Sequence, residues 1–262
     1  MGVVKTDEWL KKDSNPIKIC QELKAYFHRM NEREIHHYLN EFGMYKRVSK
    51  PYIQQMIKYN VWGRVRQFFN DLKAKWQGPD IPIFIFPVDE SSGLLSRDFR
   101  GKSGVSFRDK LFLFLSKEVG DEELKTVLTH EYHHICRLSM HEKKEEHYTL
   151  IDAIILEGLA EHAVCETVGE QALTVWVKKY SPGQLNRWWN LWIKPNQLVK
   201  RDDPKYVQLL FGKAFYPHML GYALGYHIVR TYHKTHKLNI KETFTIPVDQ
   251  IVAFYENQFK NQ

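Results

Sequence analysis

Cysteine is scarce in this 262-residue chain, with only Cys20, Cys136 and Cys165. Their number is odd and no two form a C-x-x-C pair, so a disulfide scaffold is not expected. They suit a reducing compartment, and Cys136 and Cys165 are expected as small buried packing residues. No apolar run approaches the roughly 18 residues needed to span a bilayer. The opening Met1-Gly2-Val3-Val4-Lys5-Thr6-Asp7-Glu8-Trp9 lacks the apolar core of a secretory leader. These absences predict a cytoplasmic protein with no membrane partner. Internal repeats and long low-complexity linkers are also missing, which excludes solenoids and tethered arrays.

Acidic charge is in deficit: 31 Asp and Glu face 38 Lys and Arg, a net charge of +7. The basic residues are spread out, apart from short clusters such as Lys11-Lys12 and Lys143-Lys144. No RNA- or DNA-binding signature accompanies them, so a solvated basic surface is expected and no nucleic-acid partner. A hydrophobic content of 43% over this length can bury a substantial core.

Histidine, by contrast, is plentiful, with 13 copies. Two of them stand in Leu128-Thr129-His130-Glu131-Tyr132-His133-His134-Ile135. A helix advances about 100° per residue, so His130 and His134 share one face, one turn apart. Two imidazoles so placed can hold one zinc ion, and Glu131 can take a proton from a zinc-bound water. The context is helical. Asp121 is a candidate cap, Glu122 and Glu123 suit a first turn, and Leu124, Val127, Leu128, Ile135 and Leu138 follow helical spacing.

A second segment, Leu150 to Ala163, is apolar apart from a few acidic positions. Thr149 with Asp152 three residues on reads as a capping box. Glu157 and Glu161 recur one turn apart on a face expected to be buried. An unpaired buried carboxylate costs several kcal/mol, so each needs a partner. A metal would serve Glu157, as a third ligand. Glu161 can accept the free N–H of a ligating histidine. Gly158, unfavourable inside a helix, predicts close contact with another helix.

His130-Glu131-x-x-His134 followed by Glu157 resembles the gluzincin metallopeptidases. The longer stretches His130-Glu131-Tyr132-x-His134, Leu156-Glu157-Gly158-Leu159-Ala160-Glu161 and Gly221-Tyr222-Ala223-Leu224-Gly225-Tyr226 are similar to the YjaZ-like family of zinc-dependent proteases. One turn after the third ligand, gluzincins commonly carry Asp, where this chain has Glu161. The resemblance implies one Zn2+ ion on His130, His134 and Glu157, Glu131 as general base, and a peptide or protein substrate of unspecified sequence.

Thr6 to about Gln77 reads as a helical layer, with breaks at Gly43 and Pro51. Ile81–Pro87 reads as a strand with prolines at its ends or on an edge. Gly104–Phe107 reads as a short strand, and Leu111–Leu115 as one buried on both faces. This order predicts an α+β, zincin-like fold, mostly helical, with a small mixed sheet preceding the active-site helix. It is expected as a single catalytic unit over 1–262, with room for two lobes at about 1–138 and 139–262. By that analogy Gly104, Val105 and Ser106 lie on an edge strand that can bind an extended peptide; an ordinary hairpin is the alternative.

Pro217 to Val229 reads as a late helix whose Gly221 and Gly225 allow close approach to another element. His218 and Tyr222 would share a face there. Tyr222, then His218, then Tyr226 are candidate donors to a tetrahedral oxyanion, with simple packing the equal alternative. Trp188, Trp189 and Trp192 are expected to pack between lobes. Two rival functions remain: a noncatalytic zinc-stabilised regulator of the same fold, and a basic nucleic-acid binder. The intact Glu131 argues against the first, because a structural site has no use for a base.

Overall fold

The computed structural model describes residues 2–90, 102–141 and 143–260; it is mostly helical, with one small mixed sheet, an α+β fold. The chain divides into two compact units, one ending at Ile135 and the other starting at Cys136.

The first unit begins with helices α1 (Thr6–Lys12), α2 (Pro16–Glu22), α3 (Glu32–Glu41), α4 (Lys50–Lys58) and α5 (Val61–Trp76). Asn15, Asn31 and Ser49 cap α2, α3 and α4 by accepting first-turn N–H groups. Pro51 opens α4 from its first turn, where a missing N–H loses no helical bond. Gly43 leaves α3 at φ +114°, a conformation that other residues resist.

The sheet runs β1 (Gly2–Val3), β2 (Pro82–Pro87), β4 (Leu111–Leu115), β3 (Lys102–Ser106). β1, β2 and β4 are parallel, and β3 is antiparallel to β4. Every residue of β2 and β4 is buried, as expected of strands covered on both faces. β2 lies between β1 and β4 rather than on an edge. Its prolines are tolerated because they sit at its two ends, and β1 pairs only with the first of these. Gly2 N–H reaches the Ile81 oxygen at 3.1 Å and Val4 N–H the Ile83 oxygen at 2.9 Å. Among the described residues, β1 and β3 are the two outer strands.

Helix α6 (Asp121–Met140) follows β4 and contains the division between the units. Asp121 is its first residue, not its cap. Arg64 of α5 takes the Asp121 carboxylate through Nε at 2.7 Å, and Glu123 accepts the Gly120 N–H at 2.8 Å instead.

The second unit is helical: α7 (Leu150–Thr167), α8 (Pro182–Trp188) with a π-turn over Trp189–Ile193, α9 (Pro204–Phe211), α10 (Leu220–His236), α11 (Ile240–Thr243) and α12 (Val248–Lys260). Asp152 anchors the start of α7, taking the Thr149 N–H at 2.8 Å, its hydroxyl at 2.7 Å and Lys143 Nζ at 2.7 Å. α7 is apolar nearly all round, which suits a core helix. It packs on α10 through Gly158 and Gly225, where a Cβ on Gly158 would fall 2.2 Å from the Gly225 carbonyl. Ile154, Leu159, Trp189, Leu209, Leu224 and Ile228 fill the core around that contact. Trp189 stands edge-on to Tyr255 at 5.3 Å, and Trp188 stacks on Trp192 at 5.9 Å, all within this unit.

Candidate metal centre

The rotation of α6 about its own axis is set by its aromatic side. Tyr132 stacks on Trp76 of α5 at 5.7 Å and meets Phe69 edge-on at 5.2 Å. Its hydroxyl donates to the Pro79 carbonyl at 3.0 Å. His133, also buried, lies edge-on to Trp76. Residues two positions to either side of Tyr132 point about 200° away, so His130 and His134 emerge on the opposite face.

There the two imidazoles come together. Their Nε2 atoms are 3.1 Å apart, and the rings stand nearly perpendicular at 4.7 Å. Two Zn–N bonds of about 2.0–2.1 Å at a tetrahedral angle would span roughly 3.3 Å. The donor pair therefore has the chemistry and the separation that a single divalent ion requires.

Glu131 is seated by β3. The Ser106 hydroxyl lies in hydrogen-bond contact with Glu131 Oε2 and 2.9 Å from the Glu131 backbone carbonyl. Gly104 leaves space for the same side chain: a Cβ there would meet Glu131 Cγ at 2.6 Å and Cδ at 2.8 Å. Gly104 and Ser106, expected to bind substrate, thus support the carboxylate, a role that sequence reading missed. Val105, alternating to the other face of the strand, is buried.

In the second unit, Glu157 is half-buried on α7. The nearby Tyr206 hydroxyl is pushed up to about 12, chiefly by burial, with Arg201 opposing and Glu157 and Asp152 adding. Glu161, only 2% exposed, accepts the Thr174 N–H at 3.4 Å.

His218 and Tyr222 do not share a helical face. Met219, at φ +56°, precedes the first residue of α10, so His218 lies outside the helix. The preceding turn is closed by Met219 N–H on the Phe211 carbonyl at 2.9 Å and by the Tyr180 hydroxyl on the His218 carbonyl at 2.9 Å. Both side chains nonetheless meet Trp176 edge-on, at 6.4 and 6.5 Å. Tyr226 is buried against Val164 and Leu173. Burial, then a hydrogen bond with Cys165, raises its hydroxyl pKa.

The fold is α+β, and its long helix presents paired imidazoles of the donor type that could hold a metal ion, beside a carboxylate braced by an outer strand. The chain belongs to the family described as "Predicted Zn-dependent protease (DUF2268)", which matches residues 61–253. It is 37% identical over 254 residues to YjaZ of Bacillus subtilis (strain 168), itself uncharacterized, covering 95% of this chain and 97% of that one. It is also 25% identical over 140 residues to the uncharacterized YjfC of the same organism, covering 50% of this chain and 46% of that one. No solved structure matches the chain significantly. Among the described residues, no helix is long and apolar enough to cross a membrane.

Proposed function

We propose that this protein is a zinc-dependent peptidase of zincin-like fold, in which His130, His134 and Glu157 together hold one Zn2+. Two imidazoles and one carboxylate are the donor set of a catalytic rather than a structural zinc site, since they leave a position for water. Bound zinc would supply a water acidified towards about pH 7 and a polarised scissile carbonyl.

The chain's own residues do the rest. Glu131 takes the proton of the attacking water and returns it to the leaving amine. Ser106 and the bare backbone of Gly104 hold that carboxylate in one orientation. The outer edge of β3, at Gly104, Val105 and Ser106, offers backbone groups to an extended peptide. Glu161 receives the free N–H of a ligating imidazole and fixes its tautomer. Tyr222, with His218 second, donates to the developing oxyanion.

The observation that carries this reading is the 3.1 Å approach of two imidazole nitrogens on the helix that also carries the braced Glu131. Membership of a family described as Zn-dependent proteases supports it. The test is metal analysis of the purified protein together with a broad peptide-library digest by wild type and Glu131→Gln. The variant should keep its zinc and lose turnover by about 10²–10⁴-fold. Undiminished cleavage by Glu131→Gln would remove the base, and a protein unable to bind zinc would remove the whole reading.

A further inference from the structure

A second group of metal-ligating side chains lies wholly within the second unit. His162 and Glu166 are one turn apart on α7, and His233 is near the end of α10. One ligand atom from each lies within 4.8 Å of the others. The two imidazole rings are 4.5 Å apart, tilted by 51°. His162 is only 3% exposed, and its Nε2 has no hydrogen-bond partner among the described residues. Among the same residues the buried Nδ1 of His233 likewise has none. His162 also hydrogen-bonds the Leu238 backbone, which leaves its Nε2 as the ring atom available to a ligand.

Left bare, this arrangement is costly. Each buried polar atom without a partner costs about 1–3 kcal/mol.

The helices add a second argument. Gly158 meets Gly225, and one to two turns further along, His162 meets His233, so α7 and α10 run in the same direction. Their C-terminal ends are therefore side by side. Each end carries about half a negative charge from its unsatisfied carbonyls, which favours a cation between them.

We propose that His162, Glu166 and His233 form a second divalent-metal site, which ties the C-terminal turns of α7 and α10 together. Two imidazoles and a carboxylate suit zinc or a neighbouring first-row ion rather than calcium or magnesium. Glu166 is exposed, so the ion would be reached from solvent through that side. His162 follows Glu157 by five residues, about 140° around the helix, so this face is not the one carrying Glu157.

The test uses the full chain, stripped of metal and titrated with Zn2+, with stoichiometry read by elemental analysis and unfolding followed by circular dichroism. Wild type should take up two ions per chain. His130→Ala with His134→Ala should take up one, and zinc should still raise its unfolding temperature. Glu166→Gln, an exchange at an exposed position, should weaken the second affinity at least about tenfold, as should His233→Asn. Both variants should leave peptide cleavage unchanged. A single ion in wild type that survives in Glu166→Gln and His233→Asn would overturn the second site. Loss of cleavage in the His130 and His134 variant reports on the first site only, so the two readings fail separately.

Discussion

Gly158→Ala tests the packing of the second unit most directly, because two effects of opposite sign compete. In an exposed helix interior, this exchange stabilises by about 1 kcal/mol. Here the new Cβ would lie 2.2 Å from the carbonyl carbon and oxygen of Gly225. Ordinary contact begins near 3.4 Å, so the two backbones must part by about 1.2 Å. Neither side is a flexible side chain that can swing away, so the cost falls at the upper end of the 1–3 kcal/mol typical of overpacking. Less the propensity gain, the net loss is about 2 kcal/mol, or about 4–8 °C in unfolding temperature for a chain of this size. Thermal unfolding followed by far-UV circular dichroism measures it. Gly225→Ala should act in the same direction, since its Cβ would fall 2.0 Å from the Ile154 carbonyl oxygen. An unchanged or raised unfolding temperature in Gly158→Ala would refute the close α7–α10 contact.

The remaining expectations concern the site, a buried charge and pH. Gly104→Ala would push the Glu131 side chain by roughly 0.8 Å to relieve its 2.6 Å contact; peptide turnover should fall about 10–100-fold while zinc content stays constant, and a loss of zinc instead would contradict the positioning role. Ser106→Ala should lower turnover in the same way, with recovery in Ser106→Thr. Arg137, only 3% exposed, donates to the carbonyls of Thr243 at 2.6 Å and Ile246 at 2.8 Å. Arg137→Met would strand both oxygens and lower stability by about 2 kcal/mol in a urea titration. Burial, and then Lys234, hold His227 down at about 4 rather than 6.5, with its Nε2 3.0 Å from Asn186 Oδ1. The unfolded chain therefore binds this proton first, and the stability His227 contributes above pH 6.5 is lost as pH falls towards 4. His227→Gln should flatten that stretch of the urea midpoint against pH, and parallel curves for the two proteins would exclude His227 as the cause.

Much of this architecture was legible from local chemistry. The period of the Leu124 to Leu138 pattern located the imidazole helix. The unbroken Leu-Phe-Leu-Phe-Leu run located its buried strand, and Thr149 with Asp152 the start of α7. Gly158 points to a contact because glycine is unfavourable inside a helix unless another element comes close. What escaped the sequence depends on partners distant in the chain. β1 is two residues long, too short to show an alternation, and its presence turns β2 into an inner strand. Asp121 has the right chemistry for a cap, but Arg64, 57 residues away, claims it. The turn before α10 depends on a left-handed Met219, which no propensity favours, and it removes His218 from the helix. The pairing of His162 with His233 exists only once α7 and α10 are packed.

The strand that braces Glu131 pairs with another strand on one side only among the described residues. Successive residues of an extended guest point alternately up and down, so a slip of one position turns every group over. A guest laid along β3 out of step would present the wrong side of its backbone to the carboxylate. In the proposed peptidase, alignment and reactivity would thus be read from one ruler, and selectivity would follow from where a chain can lie flat as much as from what its side groups are.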